Sequence, residues 1–231
     1  HDRPQEVEEK YFVRPAVLTS PLSIPGTFTI ANACAAIAVA RALGIPDDLA
    51  ARALRSVKGV PGRLDRVDAG QPFTVMIDYA VTPDAFEKLA ELVHHDLLKD
   101  GAKWWWVFGA TGERDRTKRP VLGAIAGGKA DYIVLTNEDP FHEDPERILD
   151  EVEAGVKEAG KEKEKNYWRT LDRRAAIRYA LEHAKPGDVV TITGKGAETA
   201  MAIGDTRVPW NEREIVREIL REKNPPIMVG G

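Results

Sequence analysis

Cysteine is nearly absent: Cys34 stands alone in 231 residues. A lone thiol excludes an internal disulfide and any zinc cluster built on cysteines, and it fits a reducing compartment. Missing too is an apolar run approaching the roughly 20 residues that span a bilayer. The opening HDRPQEVEEK contains neither a Met nor a hydrophobic signal region. These absences predict a cytoplasmic protein that reads as a piece of something longer. Neither charge sign dominates, since 33 Lys and Arg face 37 Asp and Glu, interspersed, for a net charge of −4. The electrostatic footprint of a nucleic-acid or membrane-surface binder is therefore lacking. The phosphate-cradling pattern G-x-x-x-x-G-K-[ST] occurs nowhere. GKG at 194–196 only echoes it, because residue 189 is Val and residue 196 is Gly.

What the chain does have is rhythm. Its length allows one large domain, or one domain plus an extra piece. Residues 1–25 are Pro-rich and predict a short strand at Tyr11–Leu18. The run TIANACAAIAVARALG, apolar and small all round, predicts a buried helix closed by Gly44, with Cys34 as a buried inert thiol. A second helix, Asp47–Ser56, follows Pro46, and KGVPGRLD predicts a hinge. From about residue 71, PFTVMID, KWWWVFG, DYIVLTN and DVVTITG read as strands buried on both faces. Between them Thr82 with Pro83, Asp144 with Pro145, and Asp172 before RRAAIRYALEHA mark helix starts. The alternation predicts an α/β fold, Rossmann-like, with a mostly parallel sheet and helices on both faces. AMAIGDTRVPW predicts a terminal hairpin, NEREIVREIL a final helix, EAGKEKEKN a solvated helix end and NPPIMVGG a frayed tail.

Ligands of such sheets gather at the carboxyl ends of the strands. Read in order, those ends are Asp78, GATGERDRTKRP, TNEDPFHEDP and GKGAET. GATGERDRTKRP combines glycines with Arg114, Arg116, Lys118 and Arg119, as an anion site would, although on composition alone it reads first as a solvated loop. NEDPFHEDP gathers acids around His142, but a Pro-stiffened loop ending in a helix cap already explains Asp144, and a metal is not expected. His94 and His95, neighbours on one helix, read as surface residues. Trp104, Trp105 and Trp106 alternate faces of a strand and are expected under helices.

Together these loops resemble the Mur ligase family, and within it the MurE type. The family pattern G-R-F-N-x-x-N-x-x-A-A is echoed by GTFTIANACAA, G-R-M-E by GRLD and D-Y-A-H-T-P-D by DYAVTPD. F-G-x-G-G-D-R-D-x-x-K-R-P is matched by FGATGERDRTKRP, D-N-P-R-x-E-D-P by EDPFHEDP and G-K-G-H-E by GKGAE. The resemblance runs over about residues 24–220, in order and spacing. It implies that residues 1–65 are the last part of a central ATPase domain, 66–223 a complete Rossmann-like C-terminal domain and 224–231 a tail. The family's P-loop, its magnesium-binding acid and its carbamylated lysine match nothing in this sequence, so no catalytic residue and no metal ligand is assigned.

By the same resemblance Asn32 meets adenine, while Arg63, Asp78 and Tyr79 hold the ribose and phosphate side. Arg114, Asp139, Gly194, Lys195 and Glu198 hold the incoming amino acid, Arg114 by its carboxylate and Glu198 by its ammonium. Lys118 and Arg119 assist as anion contacts. The intact family uses ATP and Mg2+ to join an amino acid to UDP-MurNAc-dipeptide through an amide bond. This chain alone is expected to bind neither ATP nor Mg2+ tightly, and to need the missing domains or a complementing chain for turnover. Three positions depart from the pattern: Val81 and Ala197 replace histidines, and Phe141 replaces the arginine that grips the far carboxylate of diaminopimelate. Diaminopimelate is thereby disfavoured and lysine or another amino acid favoured. Alternative readings are a non-catalytic binding module, a split-ligase subunit or an engineered scaffold, or a relative of the folylpolyglutamate and cyanophycin synthetases.

Overall fold

A computed structural model describes residues 27–57 and 59–223. The strand expected at Tyr11–Leu18 and the tail from residue 224 lie outside the described residues. The chain divides into two compact units, His1–Val60 and Pro61–Gly231. The division falls ahead of residue 65 because the GRLD turn is already bonded into the second unit. There the Leu64 N–H donates to Asp78, and Asp65 pairs with Ile77.

In the smaller unit, α1 (Thr27–Ala42) and α2 (Asp47–Ser56) follow one another, and Arg41 forms an ion pair with Asp47. Gly44 closes α1 in a Schellman pattern: at φ 80° it donates to the Arg41 carbonyl, and Ile45 donates to that of Ala40. The expected burial of α1 is not found. Thr29, Ala33 and Ile37 form one buried stripe, whereas Ile30 is 54% and Val39 61% exposed. Cys34 is half-buried. Small apolar residues on every side of a helix leave no single apolar stripe, so composition alone could not reveal which face is covered.

The larger unit is built on a six-stranded sheet in the order β1-β2-β6-β3-β4-β5. Its strands are β1 (Asp65–Val67), β2 (Thr74–Asp78), β3 (Trp104–Phe108), β4 (Tyr132–Thr136), β5 (Tyr167–Thr170) and β6 (Val189–Thr193). Only β1 runs antiparallel. Three helices start where the sequence places them. Side chains of Thr82, Asp144 and Asp172 accept backbone N–H groups at the heads of α3 (Pro83–Leu92), α5 (Pro145–Glu158) and α6 (Arg173–His183). Then come the hairpin β7 (Ala200–Ile203) with β8 (Thr206–Pro209) and the final α7 (Glu212–Lys223).

Period-two alternation sorts the sheet's side chains. Val75, Ile77, Trp105, Val107, Val134, Val190 and Ile192 meet Ile177 and Leu181 of α6 and Val216 and Leu220 of α7 in one core. On the opposite face Trp104 and Trp106 stack at 4.6 Å, and Phe86 of α3 lies 4.5 Å from Trp106. Their indole N–H groups donate to Thr191 and Thr193. The three tryptophans thus alternate beneath helices, as expected.

On that second face α4 (Lys118–Lys129) packs on α5 with almost no gap. A Cβ at Gly155 would overlap the Pro120 carbonyl oxygen, and one at Gly123 that of Val152. EAGKEKEKN is not simply a solvated helix end: half-buried Lys161 turns back to the carbonyls of Ala130 and Asp131 at 2.6 and 3.0 Å. The residues after it form β5, which the sequence pattern did not signal.

Candidate functional site

Strands β2, β6, β3 and β4 are neighbours, so the loops leaving their carboxyl ends emerge side by side. Half-buried Asp78 closes β2. One of its oxygens accepts the Leu64 N–H and the other the Ala80 N–H, both at 2.8 Å. Burial raises its pKa, opposed by those two N–H groups and by Arg63. Its first task is therefore to clip the GRLD turn to the end of β2. Gly62 makes that fit possible, because a Cβ there would overlap the backbone of Gly196 and Ala197.

Beside Asp78, Tyr79 begins a continuous run of polar groups. The Arg63 guanidinium lies 4.8 Å from the Tyr79 ring centre, and the Tyr79 hydroxyl donates to Glu198 at 2.6 Å. That acceptor, together with burial, pushes the phenol up to about 12. The other oxygen of Glu198 pairs with Lys195, whose ammonium also donates to both oxygens of Asp139 at 2.8 Å. Lys195 is fully buried and Asp139 nearly so. The donors of Lys195, expected at the substrate, here hold Asp139 and Glu198. Asp139 in turn accepts the Ala202 N–H at 2.7 Å, which fastens the β7–β8 hairpin to this edge.

Gly194 sits at φ 111°, where a Cβ would overlap the Glu138 carboxyl. Glu138 is buried, its pKa raised by that burial, and Thr111 donates to it at 2.6 Å. Arg114 is exposed, its guanidinium 5.4 Å from the Phe141 ring centre. Arg119 spends its charge on acids of the protein itself. It is enclosed, with donors on Glu143, Glu151 and the Thr111 carbonyl, and it holds the Glu143 carboxyl down at about 2. Lys118 donates to the Val81 carbonyl at 2.9 Å and so ties its loop to the DYA turn. Asn32 lies exposed on α1 of the smaller unit. Among the described residues no group of three or more His, Cys, Asp or Glu could hold a metal ion.

Two features escaped the sequence. Beneath the strand ends Arg173 of α6, fully buried, pairs with Glu212 of α7 and donates to the carbonyls of Asn137 and Thr193. Nothing in RRAAIRYALEHA separates that arginine from its exposed neighbours. The other is a second guanidinium over Phe141, that of Arg207 on β8 at 5.5 Å.

The arrangement has a chemical character. Away from this edge arginines are tied to acids: Arg116 to Glu151, and Arg169 to Glu146, Asp150 and Glu153. Here Arg63, Arg114 and Arg207 lie against aromatic rings, and among the described residues none makes an ion pair. Rings hold a guanidinium in place while leaving its N–H donors for an anion. Alongside, Glu198 presents a positioned carboxylate. Cationic donors beside an anchored acid suit a zwitterion.

Residues 62–196 match the family described as Mur ligase, glutamate ligase domain. The chain is 46% identical over 201 residues to a UDP-N-acetylmuramyl-tripeptide synthetase of Roseiflexus sp. (strain RS-1), covering 87% of this chain and 39% of the relative. It is 44% identical over 201 residues to a UDP-N-acetylmuramoyl-L-alanyl-D-glutamate--2,6-diaminopimelate ligase of Caldanaerobacter subterraneus subsp. tengcongensis, covering 87% of this chain and 40% of the relative. A solved structure of a ligase of that second name superposes with a TM-score of 0.65 at 30% identity, over 86% of this chain and 39% of the other. The chain thus spans about two fifths of the length of the relatives it matches.

Proposed function

That this chain belongs to the Mur ligase family, through its glutamate ligase domain, is the premise from which we propose its role. It is the amino-acid-presenting part of a cytoplasmic, ATP-dependent ligase that adds one amino acid to a UDP-MurNAc-dipeptide. The carrying observation is the unbroken run Arg63–Tyr79–Glu198–Lys195–Asp139 along one sheet edge, with Arg114 over Phe141 two residues further on.

In this reading Arg114 takes the α-carboxylate of the incoming amino acid and Glu198 faces its ammonium, so that the amine is aimed at the activated acceptor. Lys195 holds Glu198 in position without touching the substrate. Arg63, with Asp78 and Tyr79 behind it, offers donors to the phosphate and ribose side of the nucleotide. ATP, when bound, activates the acceptor carboxylate. The smaller unit is the end of the ATPase domain, and the remaining residues of that reaction belong to sequence outside this chain.

Calorimetry on the 231-residue chain with ATP and with amino acids tests this. We expect weak amino-acid binding that Arg114→Ala abolishes, and no ATP-dependent ligation by the chain alone. Ligation by the isolated chain overturns the assignment of a partial site. Absence of all amino-acid binding favours a non-catalytic module, the reading that the departures at Val81 and Ala197 support.

A further inference from the structure

The β7–β8 hairpin has no part in the six-stranded sheet, yet it is bonded into the site. Ala202 donates its N–H to Asp139 at 2.7 Å and accepts the Phe141 N–H at 3.1 Å. Gly204 donates to the Phe141 carbonyl at 2.7 Å. His142 reaches from Glu113 at 2.9 Å to Asp205 at 3.1 Å. Phe141 is held by these bonds at φ 50°, a left-handed conformation that a bulky L-residue adopts only under constraint. Arg207 is the cross-strand partner of Ala202, so the hairpin register fixes where its side chain leaves the backbone.

Arg207 and Arg114 therefore stand over one ring, at 5.5 and 5.4 Å from its centre, and both are exposed. Among the described residues neither makes an ion pair. Each guanidinium repels a cation brought up to this ring. A carboxylate brought there gains charge-assisted hydrogen bonds. Phe141 supplies the flat apolar wall along which a methylene chain can lie.

We infer that Arg207 is a specificity-determining residue, reading a carboxylate at the far end of the incoming amino acid's side chain while Arg114 takes the α-carboxylate. The inference rests on the amino-acid-binding role proposed above, and it turns the preference read from Phe141 alone away from lysine. A cation absent from position 141 is supplied across the ring by the hairpin.

The test is calorimetric titration of the full chain with 2-aminoadipate, norleucine and lysine, which share a chain length and differ in the charge of the far end. We expect aminoadipate to bind about tenfold more tightly than norleucine, and lysine more weakly than either. Arg207→Ala should bring aminoadipate level with norleucine while leaving norleucine unchanged, and Arg207→Glu should reverse the order in favour of lysine. Circular dichroism of the variants establishes that they fold. Equal binding of the three by the wild-type chain, or an aminoadipate preference that survives Arg207→Ala, overturns the inference and leaves the amino-acid site standing. Failure of the wild-type chain to bind any of them overturns the underlying role, and the inference with it.

Discussion

Tyr79 joins a cation on its face to an acid at its hydroxyl, and the second contact has a measurable pH signature. The phenol is neutral when it donates to Glu198, so the bond is intact at and below the ordinary value of 10 and is lost as pH rises through about 12. Carbon NMR of ring-labelled tyrosine should follow that titration directly. Glu198→Gln should return Tyr79 towards about 10; an unchanged value would mean that burial, rather than this carboxylate, sets it. The same carboxylate is anchored by Lys195, so at this scale the site is a set of charges fixed before any ligand arrives. Preorganisation of this kind lowers what binding must expend on ordering side chains.

Between elements, the informative residues are the smallest. Glycine inside a helix ordinarily costs about 1 kcal/mol relative to alanine, so Gly155→Ala would stabilise an isolated α5. Here the added methyl would meet the Pro120 carbonyl of α4. We expect Gly155→Ala to destabilise by about 1–3 kcal/mol in urea unfolding, the sign of the change deciding between intrinsic propensity and packing. Elements of this kind were also what the sequence read well. Thr82–Pro83, Asp144–Pro145 and Asp172 placed three helix heads, because a cap is a local chemical event. The apolar runs placed β2, β3, β4 and β6, because a strand buried on both faces leaves no polar alternation. β1 and β5 went unread because each is only three or four residues long at a sheet edge. Of the site, the loops after those four strands were legible as polar breaks in an apolar rhythm. The inward turn of Lys195 and Arg119 was not, since a basic residue looks the same in sequence whether water or a carboxylate receives it. Arg207 was missed because its neighbour Phe141 is distant in the chain.

For the molecule as a whole, the Arg173–Glu212 pair ties the first turn of α6 to that of α7 and both to the ends of β4 and β6. Neither side chain reaches water. Removing one partner leaves a buried charge uncompensated, so Arg173→Met should cost about 3–5 kcal/mol, whereas adding Glu212→Leu should recover much of that loss. Chemical denaturation of both single variants and the double variant gives the coupling, and additive losses would mean that the two groups act independently. The sheet order carries one more consequence. β6 is the last of the sheet's strands along the chain, yet it lies between β2 and β3. Until residues 189–193 leave the ribosome, the half holding β2 and the half holding β3, β4 and β5 have no common backbone ladder, and Trp104 and Trp106 lack the threonines that receive their indole N–H groups. Synthesis must therefore keep an open seam at the centre of this sheet until β6 emerges, and closing that seam is a long-range and comparatively slow event.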